Sequence, residues 1–230
     1  MIEYRDAAAR FRTRDEGRTT WHSFSFGAHY DPANTGFARL VAHNDEQLPP
    51  GTGYADHPHT DVEIVTWVLS GALRHTSTVG TGVIGPGQVQ RLSAGTGVVH
   101  AEVNDTDVET RFLQAWVRPD EDGLAPSYLA RQVDPVDGWT CIADGDGRGV
   151  APLASAGTSL HTAHLAHGQR LDLPEAASLH VFVAEGEVQL GERVLKAGDA
   201  ARLLDEGGRQ VTGESTGETA GHLVVWAFRG

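Results

Sequence analysis

The sequence predicts an all-β chain made of two copies of one antiparallel β-barrel. The 230 residues include 28 glycines and 10 prolines scattered at short intervals. This leaves few uninterrupted helical windows and many short β-branched runs bounded by turn formers. The second observation is a repeat. Val68-Leu69-Ser70-Gly71-Ala72-Leu73, with Pro86-Gly87-Gln88-Val89 downstream, is echoed by Val183-Ala184-Glu185-Gly186-Glu187-Val188, with Ala197-Gly198-Asp199-Ala200 downstream. Gly71 and Gly186 stand 115 residues apart, and Gly87 and Gly198 stand 111 apart. The offset is about half the chain, and the second copy has the shorter hairpin.

Within that frame strands are expected at 36–42, 62–69, 72–77, 98–103, 110–117, 178–184 and 222–228, while 126–132 reads as a single helical turn. The stretch 134–148 contains Asp134-Pro135-Val136-Asp137-Gly138 and Asp144-Gly145-Asp146-Gly147. These are turn formers suited to a connection between domains. The expected division is therefore 1–135 and 136–230. Asp144 to Gly147 lacks the downstream glutamate of a calcium loop and reads as a turn.

Composition narrows the function. Eighteen basic against 31 acidic side chains give a formal net charge of −13, with no basic stripe to track phosphates, so direct nucleic-acid binding is not expected. Cys141 is the single cysteine, which excludes an intrachain disulfide and favours a reducing compartment. No apolar leader or membrane-length run is visible, so the expected location is cytoplasmic.

The segment richest in chemistry is His57-Pro58-His59, followed by Glu63 and, 41 residues after His59, by His100-Ala101-Glu102 and Asn104. On a strand, residues two apart share a face, so two neighbouring strands can aim His57, His59, His100 and Glu102 at one point inside a barrel. Three imidazoles and a carboxylate suit Fe(II), Mn, Co, Ni, Cu(II) or Zn better than thiolate-seeking ions. On an ion preferring six ligands they leave about two positions open for substrate and O2. Gly71, Gly87, Gly95 and Gly97 are placed to turn the tight corners between these strands.

These residues have a familiar arrangement. Gly87, Ser93-Ala94-Gly95-Thr96-Gly97, His100 and Asn104 resemble the second cupin motif, and Gly51 or Gly53, His57-x-His59-x3-Glu63 and Gly71 resemble the first. With Trp67-Val68-Leu69, Pro86-Gly87-x-Val89-Gln90, and upstream Phe24-Ser25-Phe26, Tyr30-Asp31-Pro32 and Gly36-Phe37, the chain resembles the pirin family, densely over residues 10–120. The resemblance implies a bicupin fold and one metal, usually iron as Fe(II), in the N-terminal barrel, with ligands corresponding to His57, His59, His100 and Glu102. Thr60 departs from it, since similar members often carry a basic residue directly after His-x-His.

Glu63 shares the strand parity of His57 and His59. It is expected to face inward in a pocket or supporting role, because Glu102 already supplies the carboxylate. Applied to the second copy, the offsets map His57, His59 and Glu63 onto Asp172, Pro174 and Ser178, and His100 and Glu102 onto Val211 and Gly213. The ligand set is lost there, and His161, His164 and His167, three apart, alternate faces on a strand. Trp21, Phe24, Phe26, Tyr30, Phe37, Trp67, Phe112 and Trp116 are candidates for a flat pocket or for the core, with core expected for most. The resemblance implies either a dioxygenase that cleaves a flavonol such as quercetin with O2, or a metal-dependent, redox-sensing binding protein acting through a protein partner. The enzyme is the reading adopted, with Glu102 as the proton acceptor.

Overall fold

The computed structural model describes residues 1–216 and 219–230. The strands are β1 (Ile2–Arg5), β2 (Phe11–Asp15), β3 (Arg18–His22), β4 (Leu40–Leu48), β5 (Gly53–His59), β6 (Glu63–Ser70), β7 (Leu73–Ser77), β8 (Gly80–Ile84), β9 (Gln88–Ser93), β10 (Val98–Val103), β11 (Thr110–Val117) and β12 (Ser127–Gln132). They continue with β13 (Thr140–Asp144), β14 (Ala151–Pro152), β15 (Thr158–Leu165), β16 (Arg170–Asp172), β17 (Ser178–Glu185), β18 (Glu187–Leu190), β19 (Arg193–Lys196), β20 (Ala200–Leu204), β21 (Gln210–Gly213) and β22 (Gly221–Phe228). Among the described residues the only helical element is the 3-10 turn Ala7–Ala9, and no helix is long and apolar enough to cross a membrane.

Two compact units result. The first barrel comprises Phe11–Asp134 with Val150–Ala156, and the second comprises Met1–Arg10, Pro135–Gly149 and Gly157–Gly230. In place of the expected single cut between 135 and 136, the units take short segments from either side of it. The first barrel has a sheet ordered β12-β9-β6-β11-β4-β3-β2 and a four-stranded sheet β5-β10-β7-β8. The second repeats this as β1-β20-β17-β22-β15-β13 and β16-β21-β18-β19. The repeat is visible in backbone conformation as well: Gly71 and Gly186 have φ of 72° and 68°, and Gly87 and Gly198 have 75° and 90°. L-residues resist that region, so glycine is required at both hairpins of both copies.

Two local expectations are corrected. Residues 126–132 form no helical turn; Ser127–Gln132 is β12, paired antiparallel along β9, because an open sheet edge outweighs a weak local preference. The expected strand at 36–42 begins only at Leu40, after a short bridge between Phe37 and Leu40 in which Ala38 has φ 52°. The turn-rich stretch 134–148 also contains β13.

Candidate metal centre

The centre is assembled on β5 and β10, which pair antiparallel with His57 opposite His100 and His59 opposite Val98. Between His100 and Glu102 the register shifts, so that Glu102 lies opposite Tyr54. Three residues of β5 are thus spanned against two of β10, a β-bulge of the kind that re-aims side chains beside functional sites. Tyr54 and His57, three apart, would face opposite ways on a regular strand; across the bulge both line one cavity.

Ligand atoms of His57, His59 and His100 all lie within 4.8 Å of one another, and a second group of His75, His100 and Glu102 meets the same criterion. His100 belongs to both groups. The structure therefore brings the three expected histidines together and joins Glu102 to them through His100. His75, fully buried on β7, is a member the sequence reading did not name.

A backbone hydrogen bond orients the first imidazole. His57 Nδ1 donates to the Ala55 carbonyl at 2.8 Å, which leaves Nε2 free to ligate. Around His75 Nδ1 stand Gln90 Nε2 at 3.4 Å and His100 Nδ1 at 3.5 Å. His100 Nε2 is buried and without a hydrogen-bond partner. Burial pushes the imidazoles of His59 and His100 down to about 4, so both are neutral near pH 7. A buried ring nitrogen left without a partner is costly, and three convergent imidazoles beside a carboxylate fit a borderline divalent cation.

Glu102 is buried and held on both oxygens. Gln90 Nε2 donates to Oε1 at 3.2 Å and Gln114 Nε2 to Oε2 at 2.9 Å. Each amide is oriented in turn, Gln90 by the Tyr128 hydroxyl at 3.2 Å and Gln114 by Trp116 Nε1 at 3.4 Å. Burial alone would raise the Glu102 carboxyl. His75, whose Nδ1 is 3.9 Å from Oε1, together with His100 and Gln114, outweighs burial and holds the carboxyl below its ordinary value. Such a carboxylate is suited to ligation and poorly suited to taking up a proton. The Tyr128 ring stacks on His75 at 4.7 Å and lies over Gly80 and Gly82, where a Cβ would collide with it.

Glu63 is corrected. It neither lines the cavity nor joins either ligand group, and its carboxylate accepts hydrogen bonds from Ser93 Oγ and, at 3.4 Å, from Ala154 N–H. Parity counted from His59 does not carry to Glu63, because the turn between β5 and β6 passes through Asp61 at φ 50° and into the other sheet.

His57, His59 and Glu102 line a cavity of about 430 Å³. Part of its wall is a run of rings: His22 stacks on Phe26 at 5.0 Å, Phe26 meets Trp116 edge-on at 5.0 Å, and Trp116 meets His59 at 4.8 Å. Trp116 and Phe26 are therefore wall residues, whereas Phe24, Trp67 and Phe112 are core as expected. The cavity is also lined by Arg18, Thr20, Asn44, Glu46 and Tyr54. Glu46 accepts from Thr20 Oγ1 and, at 2.7 Å, from the Tyr54 hydroxyl. Burial nevertheless pushes its carboxyl up to about 7. The signal that could have found it is the polar run His43-Asn44-Asp45-Glu46 inside a strand whose neighbours are buried on both sides.

Comparison with known proteins agrees with this geometry. A family profile described as Pirin matches residues 5–117. A Mycobacterium tuberculosis protein named "Putative quercetin 2,3-dioxygenase Rv0181c" is 44% identical over 98% of this chain and 94% of its own length. The Escherichia coli K12 protein named "Quercetin 2,3-dioxygenase" is 32% identical over 95% and 96%. The crystal structure of the bacterial pirin YhhW from Escherichia coli in complex with nickel(II) superposes with a TM-score of 0.90 at 26% identity, covering 100% of this chain and 99% of that one. With the bicupin architecture, the two-motif histidine cluster and relatives matched along nearly their full length, the chain belongs to the pirin family.

Proposed function

We propose that this protein is a metal-dependent dioxygenase that cleaves a planar flavonol with O2, using His57, His59, His100 and Glu102 as the ligands of one divalent ion, Fe(II) being the first candidate. The observation that carries this reading is the convergence of three imidazoles beside a cavity walled in part by aromatic rings. A divalent ion held there supplies a Lewis-acidic centre with open positions for an enolate oxygen and for O2. The protein does the remainder. The rings of His22, Phe26 and Trp116 offer flat apolar surface to a planar ligand and exclude water. Gln90 and Gln114 hold the Glu102 carboxylate in one orientation, so its charge is committed to the ion and not to a proton. With one carboxylate against a 2+ charge the site stays net positive, which favours an anionic oxygen ligand.

The test is oxygen uptake and loss of flavonol absorbance by iron-loaded protein with quercetin under air, beside His59→Ala and a metal-free control. Metal-dependent turnover that His59→Ala removes is the expected result. Stoichiometric bound metal with no turnover would overturn the enzymatic reading in favour of a binding protein.

A further inference from the structure

The mechanism leaves one buried ionisable group of the cavity unused. Glu46 is only 3% exposed yet lines the cavity. Thr20 and Tyr54 both donate to the same oxygen, Oε2, and the second oxygen, Oε1, has no hydrogen-bond partner among the described residues. Among the described residues no cation pairs with Glu46. The nearby Arg18 stacks 4.5 Å from the Tyr54 ring centroid and pairs with Asp15 at 2.6 Å. A carboxylate pinned on one oxygen and open on the other is an acceptor waiting for a donor. Its place is also informative: Tyr54, whose hydroxyl donates to Glu46, has its ring 6.4 Å from the His57 ring.

We propose that Glu46 Oε1 accepts a hydrogen bond from a ligand hydroxyl remote from the metal-binding edge, making Glu46 a specificity-determining residue that selects polyhydroxylated planar aromatics over singly hydroxylated ones. The inference rests on the flavonol reading above. A neutral O–H donor is favoured over an ammonium because Arg18 lines the same cavity and the divalent ion would sit beside it, so further positive charge would be repelled there. Thr20 and Tyr54 are positioning residues, since their hydroxyls fix the carboxylate plane without touching the ligand in this scheme. Glu46→Gln reverses the polarity of the open side. The two hydroxyl donors keep the amide oxygen on their side and turn the NH2 group toward the cavity, where a ligand hydroxyl would lose its acceptor.

The experiment uses the full-length protein loaded with zinc, which is redox-inert and so separates binding from turnover. Quercetin and 3-hydroxyflavone share the metal-binding edge and differ in their remote hydroxyls, and each is titrated calorimetrically. Wild-type protein is expected to bind quercetin about tenfold more tightly than 3-hydroxyflavone, and Glu46→Gln to shrink that ratio below about threefold by weakening quercetin. Tyr54→Phe keeps the ring and frees the carboxylate. It is expected to reduce the ratio about twofold, and it guards against a folding defect in the first variant. A wild-type ratio near one, or a ratio that both variants leave unchanged, would overturn the assignment of Glu46 while the flavonol reading stands. Failure of the zinc-loaded wild type to bind either flavonol would overturn both.

Discussion

The two barrels share strand order and register but fill their interiors with opposite chemistry. In the first, Thr66 pairs with Gln90 on one side and Gln114 on the other. At the matching positions of the second, Val181 pairs with Ala201 and Val225. The second interior is one continuous apolar cluster that includes these three residues, Val211 and Leu223. The first is divided: Leu48, Val68, Leu73, Ile84 and Phe112 form one cluster, and Val62, Ile64, Leu92, Ala94 and Val98 another. The buried polar residues His75, Gln90, His100, Glu102 and Gln114 belong to neither. Since the second barrel folds with valine where the first has glutamine, the polar belt is not a requirement of the fold. It is the part of the first barrel that answers to chemistry.

The largest effect that sharpens this comparison is on metal content. His59→Ala is expected to reduce bound metal from about one equivalent per chain to near zero after dialysis, whereas His161→Ala in the second barrel leaves it unchanged. His161 contacts Ser159 Oγ at 2.9 Å and lies in neither ligand group; elemental analysis of both variants decides. Next comes an exchange of interiors. Val225→Gln places an amide in an apolar cluster with no donor or acceptor to meet it, and is expected to cost about 3 kcal/mol in urea unfolding. The reverse change, Gln114→Val, leaves a Glu102 oxygen without its donor but adds apolar contact; it is expected to cost about 1–2 kcal/mol, less than Val225→Gln, while lowering metal affinity about tenfold. Equal costs for the two changes would show that the belt is structural.

Much of this contrast was legible in the sequence, and the residues that were not share a cause. Parity within one strand was enough to pair His57 with His59, the two cupin-like motifs added His100, and the spacing of Gly71, Gly87, Gly186 and Gly198 revealed the repeat. Tyr54 was hidden by the bulge, which breaks the two-residue period. Glu63 was misplaced because parity does not survive a change of sheet. Glu46, Gln90 and Gln114 sit on β4, β9 and β11, whose convergence on one cavity is set by strand order and not by any short motif. The place of β12 in the second barrel is taken by β1, which pairs with β20 as β12 pairs with β9. A search at a fixed offset misses this equivalence, because β1 opens the chain while its counterpart follows the first barrel's other strands.

A smaller effect should appear in the pH dependence of stability. In the unfolded chain a glutamate titrates near 4.5, and in the folded barrel Glu46 is raised to about 7. The folded state therefore binds the extra proton between these values. This contribution is fully present below about 4.5 and is lost as pH rises through 7, amounting to about 3 kcal/mol at its limit. Glu46→Gln removes the charge and is expected to unfold at higher temperature than wild type at pH 8, by up to about 3 kcal/mol, with the difference shrinking toward pH 5. Thermal melts at the two pH values check it, and parallel pH profiles for variant and wild type would contradict it. The second barrel has an apolar interior cluster at the matching depth and should show no comparable dependence when its core is mutated.

The smallest expected effect probes how the belt is held. Tyr128 lies opposite Leu92 on the closing strand of the first barrel, and Ile2 lies opposite Leu203 at the equivalent place in the second. Ile2 only packs, against the apolar cluster, whereas Tyr128 packs on His75 and also donates to Gln90 Oε1. Tyr128→Phe keeps the ring over Gly80 and Gly82 and deletes that one hydrogen bond. Gln90 can then rotate, and its NH2 group is no longer fixed on Glu102. The expected result is a loss of about 1 kcal/mol in stability with a several-fold weaker metal affinity. Ile2→Val is expected to cost a similar 1 kcal/mol with metal affinity unchanged. Competition titrations with a chelator separate the two variants. Matched stability losses with unmatched metal affinities would show that the same strand position closes a barrel in one unit and tunes a centre in the other.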